Sequence, residues 1–156
     1  MVIKDSVVAT TPRTGEADDI GQLRDVLGFH IRLAHGAVYR HFTESFTDLG
    51  LTQKQVSLLW LVDDHPGIAQ TGIAARMRMD RATTMGIVNK LEARGLLERH
   101  PSRTDGRMQA LDLTDAGRAT LAQAKRAVDE HEAWLRARFT PREVETLVRL
   151  LSRIYE

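Results

Sequence analysis

The chain of 156 residues contains no cysteine. Disulfides, thiolate zinc centres and any thiol-based redox switch intrinsic to the chain are therefore excluded. Aromatic residues make up only 5%, so a core has to be built mainly from Leu, Val, Ile, Ala and Met, which the 42% of hydrophobic residues allows. No apolar run approaches the ~20 residues of a membrane span, and the N-terminus lacks the long apolar stretch of a secretory signal. The expectation is a soluble cytoplasmic protein of one domain with no membrane partner. No Gly-rich phosphate loop, nucleophile motif or metalloprotease motif is present, so the chain is not read as an enzyme, and no cofactor is expected. His30, His35 and His41 lie five and six residues apart, not at the i, i+4 spacing of a helical metal pair, and no metal is expected either.

What is present centres on Met79–Thr114. Asp80 is a good helix N-cap, and Thr83, Thr84, Ile87, Val88 and Leu91 follow it at helical spacing. Gly95 stands where a left-handed residue closes a helix. The period then changes: Leu96–Arg99 and Met108–Leu113 read as two short strands joined by a polar loop, His100–Arg107. A helix followed by a long-tipped basic hairpin is the shape of a winged helix-turn-helix, in which the helix enters a DNA major groove and the hairpin reaches an adjacent groove or the backbone. Between Arg76 and Arg107 eight basic residues stand against four acidic ones, a net of +4, whereas the whole chain is +1. A positive segment on a near-neutral chain is the footprint of a phosphate-binding face.

Upstream, Met1–Asp19 is turn-rich and aperiodic and reads as a flexible arm, with Ile3, Val7 and Val8 able to dock on a partner subunit. A long helix is predicted from Ile20 to Leu49, closed by Gly50; its apolar surface exceeds what a small domain needs for itself. Thr52-Gln-Lys-Gln55 is a capping-box pattern opening a helix through Val62, apolar almost all round, that ends at Asp63–Pro66. A short helix over Gln70–Arg76 completes the helix-turn-helix, although Ala69 lacks a capping side chain. Downstream, Thr114 caps a helix to about Arg138, and Thr140-Pro-Arg-Glu143 opens a last apolar-faced helix.

Leu91-Glu-Ala-Arg-Gly95-Leu-Leu-Glu-Arg99, then Asp105-Gly-Arg107, then Leu113-Thr-Asp-Ala-Gly117, resembles the signature of the MarR (multiple antibiotic resistance regulator) family, from about Leu23 to the C-terminus. The resemblance implies a mainly α fold with a small β-hairpin wing (α+β): a winged helix-turn-helix whose N- and C-terminal helices form a dimerisation platform. It divides the chain into an arm (1–19), a dimerisation helix (20–49), a DNA-binding lobe (50–113) and C-terminal dimerisation helices (114–156). It also implies a homodimeric regulator, usually a repressor, that binds a pseudopalindromic operator in double-stranded DNA and is relieved by a small inducer. A winged-helix protein–protein module without DNA affinity is the alternative, which the basic wing disfavours.

On this reading the DNA contacts are Gln70, Thr71, Arg81, Thr83, Thr84, Asn89, Lys90, Arg103 and Arg107, with Asn and Thr suited to base edges and Lys and Arg to phosphates or guanine. The resemblance assigns Asp105 to holding the wing in shape by pairing with an arginine. It also brings the first helix to the border of the ligand pocket, which makes His30 and His35 candidates to hydrogen-bond a phenol or carboxylate. Trp60 reads either as core or as the wall of that pocket. The expected ligand is an aromatic acid, a phenol or an aryl-coenzyme A thioester, held by arginines beside an apolar pocket. Met77, Met79, Met85 and Met108 read as flexible core filling. Gly86, inside the recognition helix, reads equally as a place of close approach to DNA or to another helix and as a tolerated small surface residue.

Overall fold

The computed structural model describes residues 19–103 and 105–156. Nearly all of the arm expected over residues 1–19, with Ile3, Val7 and Val8, lies outside them. The helix predicted over residues 20–49 is broken twice. A 3-10 turn, Gly21–Asp25, comes first, and Val26 is extended, with φ −92° and ψ 103°. The α-helix itself, α1, is Leu27–Ser45. Phe46 then leaves the helical region, and a second 3-10 turn, Thr47–Leu49, closes at the left-handed Gly50. Local side-chain bonds account for the second break. Thr43, Ser45 and Thr47 each return a hydroxyl to the carbonyl four residues back, at 2.8 to 3.0 Å, and such back-bonding bends and weakens a helix end. Apolar spacing, which ran on unbroken, carried no mark of this competition.

The remaining helices start where their caps are written. Thr52 and Gln55 form a complete capping box at α2 (Gln53–Asp64). Ala69 provides no side-chain cap to α3 (Gln70–Arg76). Asp80 accepts from the Thr83 N–H at 2.8 Å to start α4 (Arg81–Ala93). Thr114 caps α5 (Asp115–Arg136). Thr140 and Glu143 box α6 (Pro141–Tyr155), with Pro141 in the first turn. Each cap contributes about 1 kcal/mol by satisfying an orphan N–H.

The hairpin strands are β2 (Leu97–Pro101) and β3 (Gln109–Leu113), each shifted slightly from the predicted span. They pair antiparallel with Leu97 opposite Leu113 and Pro101 opposite Gln109. A third strand, β1 (Ile68–Ala69), absent from the sequence reading, adds to the other edge of β3 in the order β1-β3-β2. Two residues carry no readable period, so this strand exists only through its partner.

Two compact units are distinguished, one ending at Ala37 and one running Val38–Glu156. The second holds the core: Leu58 and Leu59 of α2, Ile73 of α3, Leu91 of α4, Leu111 of β3 and Leu121 of α5 are all essentially inaccessible to solvent. Burying each such side chain stabilises by roughly 1.5–3 kcal/mol. In contrast, α6 has no buried residue at all, and Leu23, Leu27, Ile31 and Leu33 of the first unit are exposed as well. Among the described residues no helix is long and apolar enough to cross a membrane.

Candidate DNA interface and ligand cavity

The recognition helix α4 follows a turn in which Arg78 takes a left-handed conformation, φ 50°. Of the polar residues expected to read DNA, several have their polar groups already occupied. Thr84 is 0% exposed, with its hydroxyl donating to the Asp80 carbonyl at 2.9 Å. It cannot reach a base edge, which corrects the expectation: its helical position faces the core. The half-exposed Thr83 donates its hydroxyl to Asp80 Oδ2 at 2.6 Å. These two Thr83 bonds also hold the Asp80 carboxyl below the ordinary carboxylate range. Asn89 is exposed, but its side-chain oxygen accepts from Arg99 Nη2 at 2.5 Å, and Arg99 Nη1 binds Glu92 Oε2 at the same distance. Arg99 therefore braces β2 of the wing against α4, a role the sequence reading missed because it joins residues on different elements. Gln70 is half-buried and Thr71 exposed at the start of α3.

The charge count divides in the same way. Arg94 donates to the carbonyls of Gly50 and Leu49 at 2.8 and 3.0 Å. Arg76 donates to the Gly72 carbonyl, and the Arg78 guanidinium lies 5.5 Å from the Tyr155 ring centre. With Arg99, four of the eight cations make a contact within the chain. Among the described residues, the side-chain nitrogens of Arg81, Lys90, Arg103 and Arg107 have no intrachain partner, and all four residues are exposed.

At the wing tip Asp105 acts through the main chain. Its carboxylate accepts from the Arg107 backbone N–H at 3.0 Å, and its carbonyl accepts from Met108 N–H at 2.9 Å. The expected bond to an arginine side chain is thus replaced by an Asx-type turn, since a short carboxylate reaches the amide two residues on more easily than a long mobile guanidinium. At the base of the wing His100 Nε2 pairs with Asp112, whose other oxygen accepts from Gly67 N–H at 2.8 Å. This ties both hairpin strands to the turn before β1.

A cavity of about 410 Å³ lies within the second unit. Phe42, Val56, Trp60, Met77, Val128 and Leu135 supply apolar walls, and Gln53, Lys54, Ser57, His131 and Glu132 supply polar groups. Trp60 is half-buried; Lys125 covers its ring at 4.9 Å and is fixed by Asp63 at 2.8 Å. Among the described residues the lining holds Lys54 and no arginine. His30 and His35 are exposed residues of the first unit, and His30 Nε2 bonds the Arg24 carbonyl at 2.7 Å. The histidine the cavity does hold is His131, 5% exposed, whose Nδ1 lies 2.8 Å from His41 Nδ1. One ring must donate and the other accept across that contact. His41 stacks on Trp134 at 3.9 Å. His131 sits on the apolar spacing of its helix, but its partner is 90 residues away, and spacing along one helix cannot announce such a pair. Met77 and Met79, read as core filling, also line the cavity.

The two paired histidines are expected to titrate on opposite sides of 6.5. Burial, then the neighbouring His41 charge, pushes His131 down, whereas the bond to Asp112 pushes His100 up. A lowered histidine pKa means the fold favours the neutral ring. Its contribution is complete above 6.5 and lost as the pH falls through the native value. The raised His100 contributes fully below 6.5 and loses its contribution as the pH rises through its native value. Imidazole resonances followed by NMR through this range check both signs; two unshifted midpoints would refute the environments described.

A family model described as MarR family matches residues 49–108. A putative transcriptional regulatory protein for the hcr operon of Thauera aromatica is 35% identical over 136 residues, covering 86% of this chain and 82% of that protein. The transcriptional repressor CouR bound to a 23-mer DNA duplex aligns with a TM-score of 0.82 at 35% identity, covering 88% of this chain and 98% of that one. CouR bound to p-coumaroyl-CoA aligns with a TM-score of 0.80 at 34% identity, covering 89% and 98%.

Proposed function

The chain belongs to the MarR family of transcriptional regulators, and on that premise we propose that it is a cytoplasmic, homodimeric repressor released from its operator by an aromatic ligand. Two recognition helices enter major grooves of a pseudopalindrome one helical turn apart, and the wings add backbone contacts. The ligand is an aromatic acid, a phenol or an aryl-coenzyme A thioester. Arg81, Lys90, Arg103 and Arg107, free of intrachain partners among the described residues, support the DNA contact.

The observation that carries the ligand reading is the position of Met77 and Met79. They lie on the turn into α4 and in the wall shared with Trp60 and His131. An aromatic group filling this space presses on the turn that sets the angle of the recognition helix. It shifts the protein only if it binds one setting of that helix more tightly than the other. The polar groups of the lining orient it: His131 bonds a phenol or carbonyl oxygen, and Lys54 faces a carboxylate or phosphate.

The test uses the full chain labelled with 5-fluorotryptophan. Trp60 and Trp134 give two fluorine resonances, assigned with a Trp60→Phe variant, and p-coumaroyl-CoA is titrated as the probe alongside free aromatic acids. The Trp60 resonance is expected to move over the same concentrations that release DNA in a mobility-shift assay. In ligand-free protein, DNA affinity should fall by about 10³-fold or more between 50 and 200 mM salt, the range for six or more phosphate contacts. DNA release with no change at Trp60 would move the ligand elsewhere. Salt-insensitive binding, or none, would favour a protein–protein module.

A further inference from the structure

Three observations on α4 bear on how it meets DNA. Met85 is 50% exposed on a helix whose core face is already filled by Thr84, Val88 and Leu91. Gly86 has no positive φ, and a Cβ built there meets nothing within 4 Å, so neither backbone geometry nor intrachain packing calls for glycine. It nevertheless weakens the helix relative to alanine. Third, the polar groups best placed to read bases are largely spent: Thr84 is buried, the Thr83 hydroxyl is on Asp80, and the Asn89 oxygen is on Arg99.

What α4 offers outward is a patch of Ala82, Met85 and the half-exposed Gly86, one turn wide, flanked by the free cations Arg81 and Lys90. Helical spacing puts Ala82, Met85, Gly86 and Asn89 on one face. In the major groove the thymine C5-methyl is the apolar group presented at a base edge, and an unbranched, polarisable thioether adapts its shape to such a target.

We propose that Met85 is the specificity-determining residue of the recognition helix, reading thymine methyl groups in the major groove, and that Gly86 lets the helix backbone come close enough for that contact. Arg81 and Lys90 hold phosphates on either side. This inference rests on the DNA-binding reading above and adds to it the chemistry of readout: apolar contact in place of Asn or Thr hydrogen bonds. Thymine is therefore required where Met85 lands, and the hydrogen-bonding pattern at that position matters less.

The experiment selects preferred duplexes from a random pool with the full-length protein, then replaces each thymine of the selected site by deoxyuridine, which removes the methyl group and nothing else. Wild-type protein should lose roughly fourfold at one position per half-site, the worth of burying one methyl group, and roughly fifteenfold when both half-sites are changed. A Met85→Ala variant should bind the thymine operator more weakly and be indifferent to the change. Gly86→Ala should raise the melting temperature by about 3 °C while weakening operator binding roughly tenfold, the scale of an overpacked contact. That opposition separates an interface role from misfolding. If no thymine is sensitive to deoxyuridine, or if Met85→Ala loses as much from the change as wild type does, the inference is overturned while DNA binding stands. If the pool yields no enriched sequence and binding does not respond to salt, the DNA-binding reading itself fails and takes this one with it.

Discussion

Gly117→Ala is expected to lower folding stability by about 3 kcal/mol or more, at the top of the range for forced overpacking. A Cβ at this position would stand 2.0 Å from the Leu96 carbonyl oxygen and 3.0 Å from its carbon. Both are backbone atoms, so no rotamer change relieves the clash. The junction cannot open freely either. The Thr114 hydroxyl donates to the Gly95 carbonyl at 2.6 Å and accepts from the Gly117 N–H at 2.9 Å, while the Thr114 N–H donates to Leu96 at 3.2 Å. Gly95 itself sits at φ 69°, two residues before β2 begins at Leu97. Displacing the start of α5 thus loosens its cap, the base of the wing and the end of the recognition helix together. Urea unfolding followed by circular dichroism measures the loss. The opposite sign is expected for Gly86→Ala, where the same added carbon meets open space. A loss at Gly117 of less than about 1 kcal/mol would show that α5 can slide away from Leu96 at little cost, and the close packing described would be wrong.

That junction also shows what a sequence discloses. Thr114, three residues before Gly117, is legible as a cap because the bond closes within one turn; so are Asp80 with Thr83, Thr52 with Gln55, and Thr140 with Glu143. Helix starts, the recognition helix and the hairpin follow from such local bonds and from period. The reason for Gly117 does not, since it is a carbonyl on another element. The same holds for the candidate site. Eight basic residues are countable, but which of them are consumed depends on distant acceptors: Gly50 and Leu49 for Arg94, Glu92 and Asn89 for Arg99. Thr84 has the chemistry of a base reader and is lost to the core by its angle on the helix. The cavity is the extreme case, because its histidine contact joins α1 and α5. Residue type marks what a side chain is able to do; its partners decide whether it remains available.

A double substitution on α6, Val148→Asp with Ile154→Asp, is expected to yield a monomer and to lower operator affinity by roughly 10²- to 10⁴-fold, the gain that linking two binding sites provides. The two side chains are 56% and 64% exposed, on a helix of 15 residues with no buried residue and with Leu147, Leu150, Leu151 and Tyr155 also exposed. An isolated helix of this length is marginal in water, and a contiguous apolar face is normally covered. A second copy of the chain is the occupant proposed above, since a pseudopalindrome needs two recognition helices held at a fixed spacing. A carboxylate in such a contact must either lose its hydration or push the surfaces apart. Because neither side chain contributes to the buried core, the DNA-binding lobe of the variant should keep its cooperative unfolding. Sedimentation at micromolar concentration should give twice 17.5 kDa for the parent and 17.5 kDa for the variant. A parent that sediments as a monomer would remove the dimer from the proposed function; a variant that remains dimeric would place the interface on surfaces other than α6.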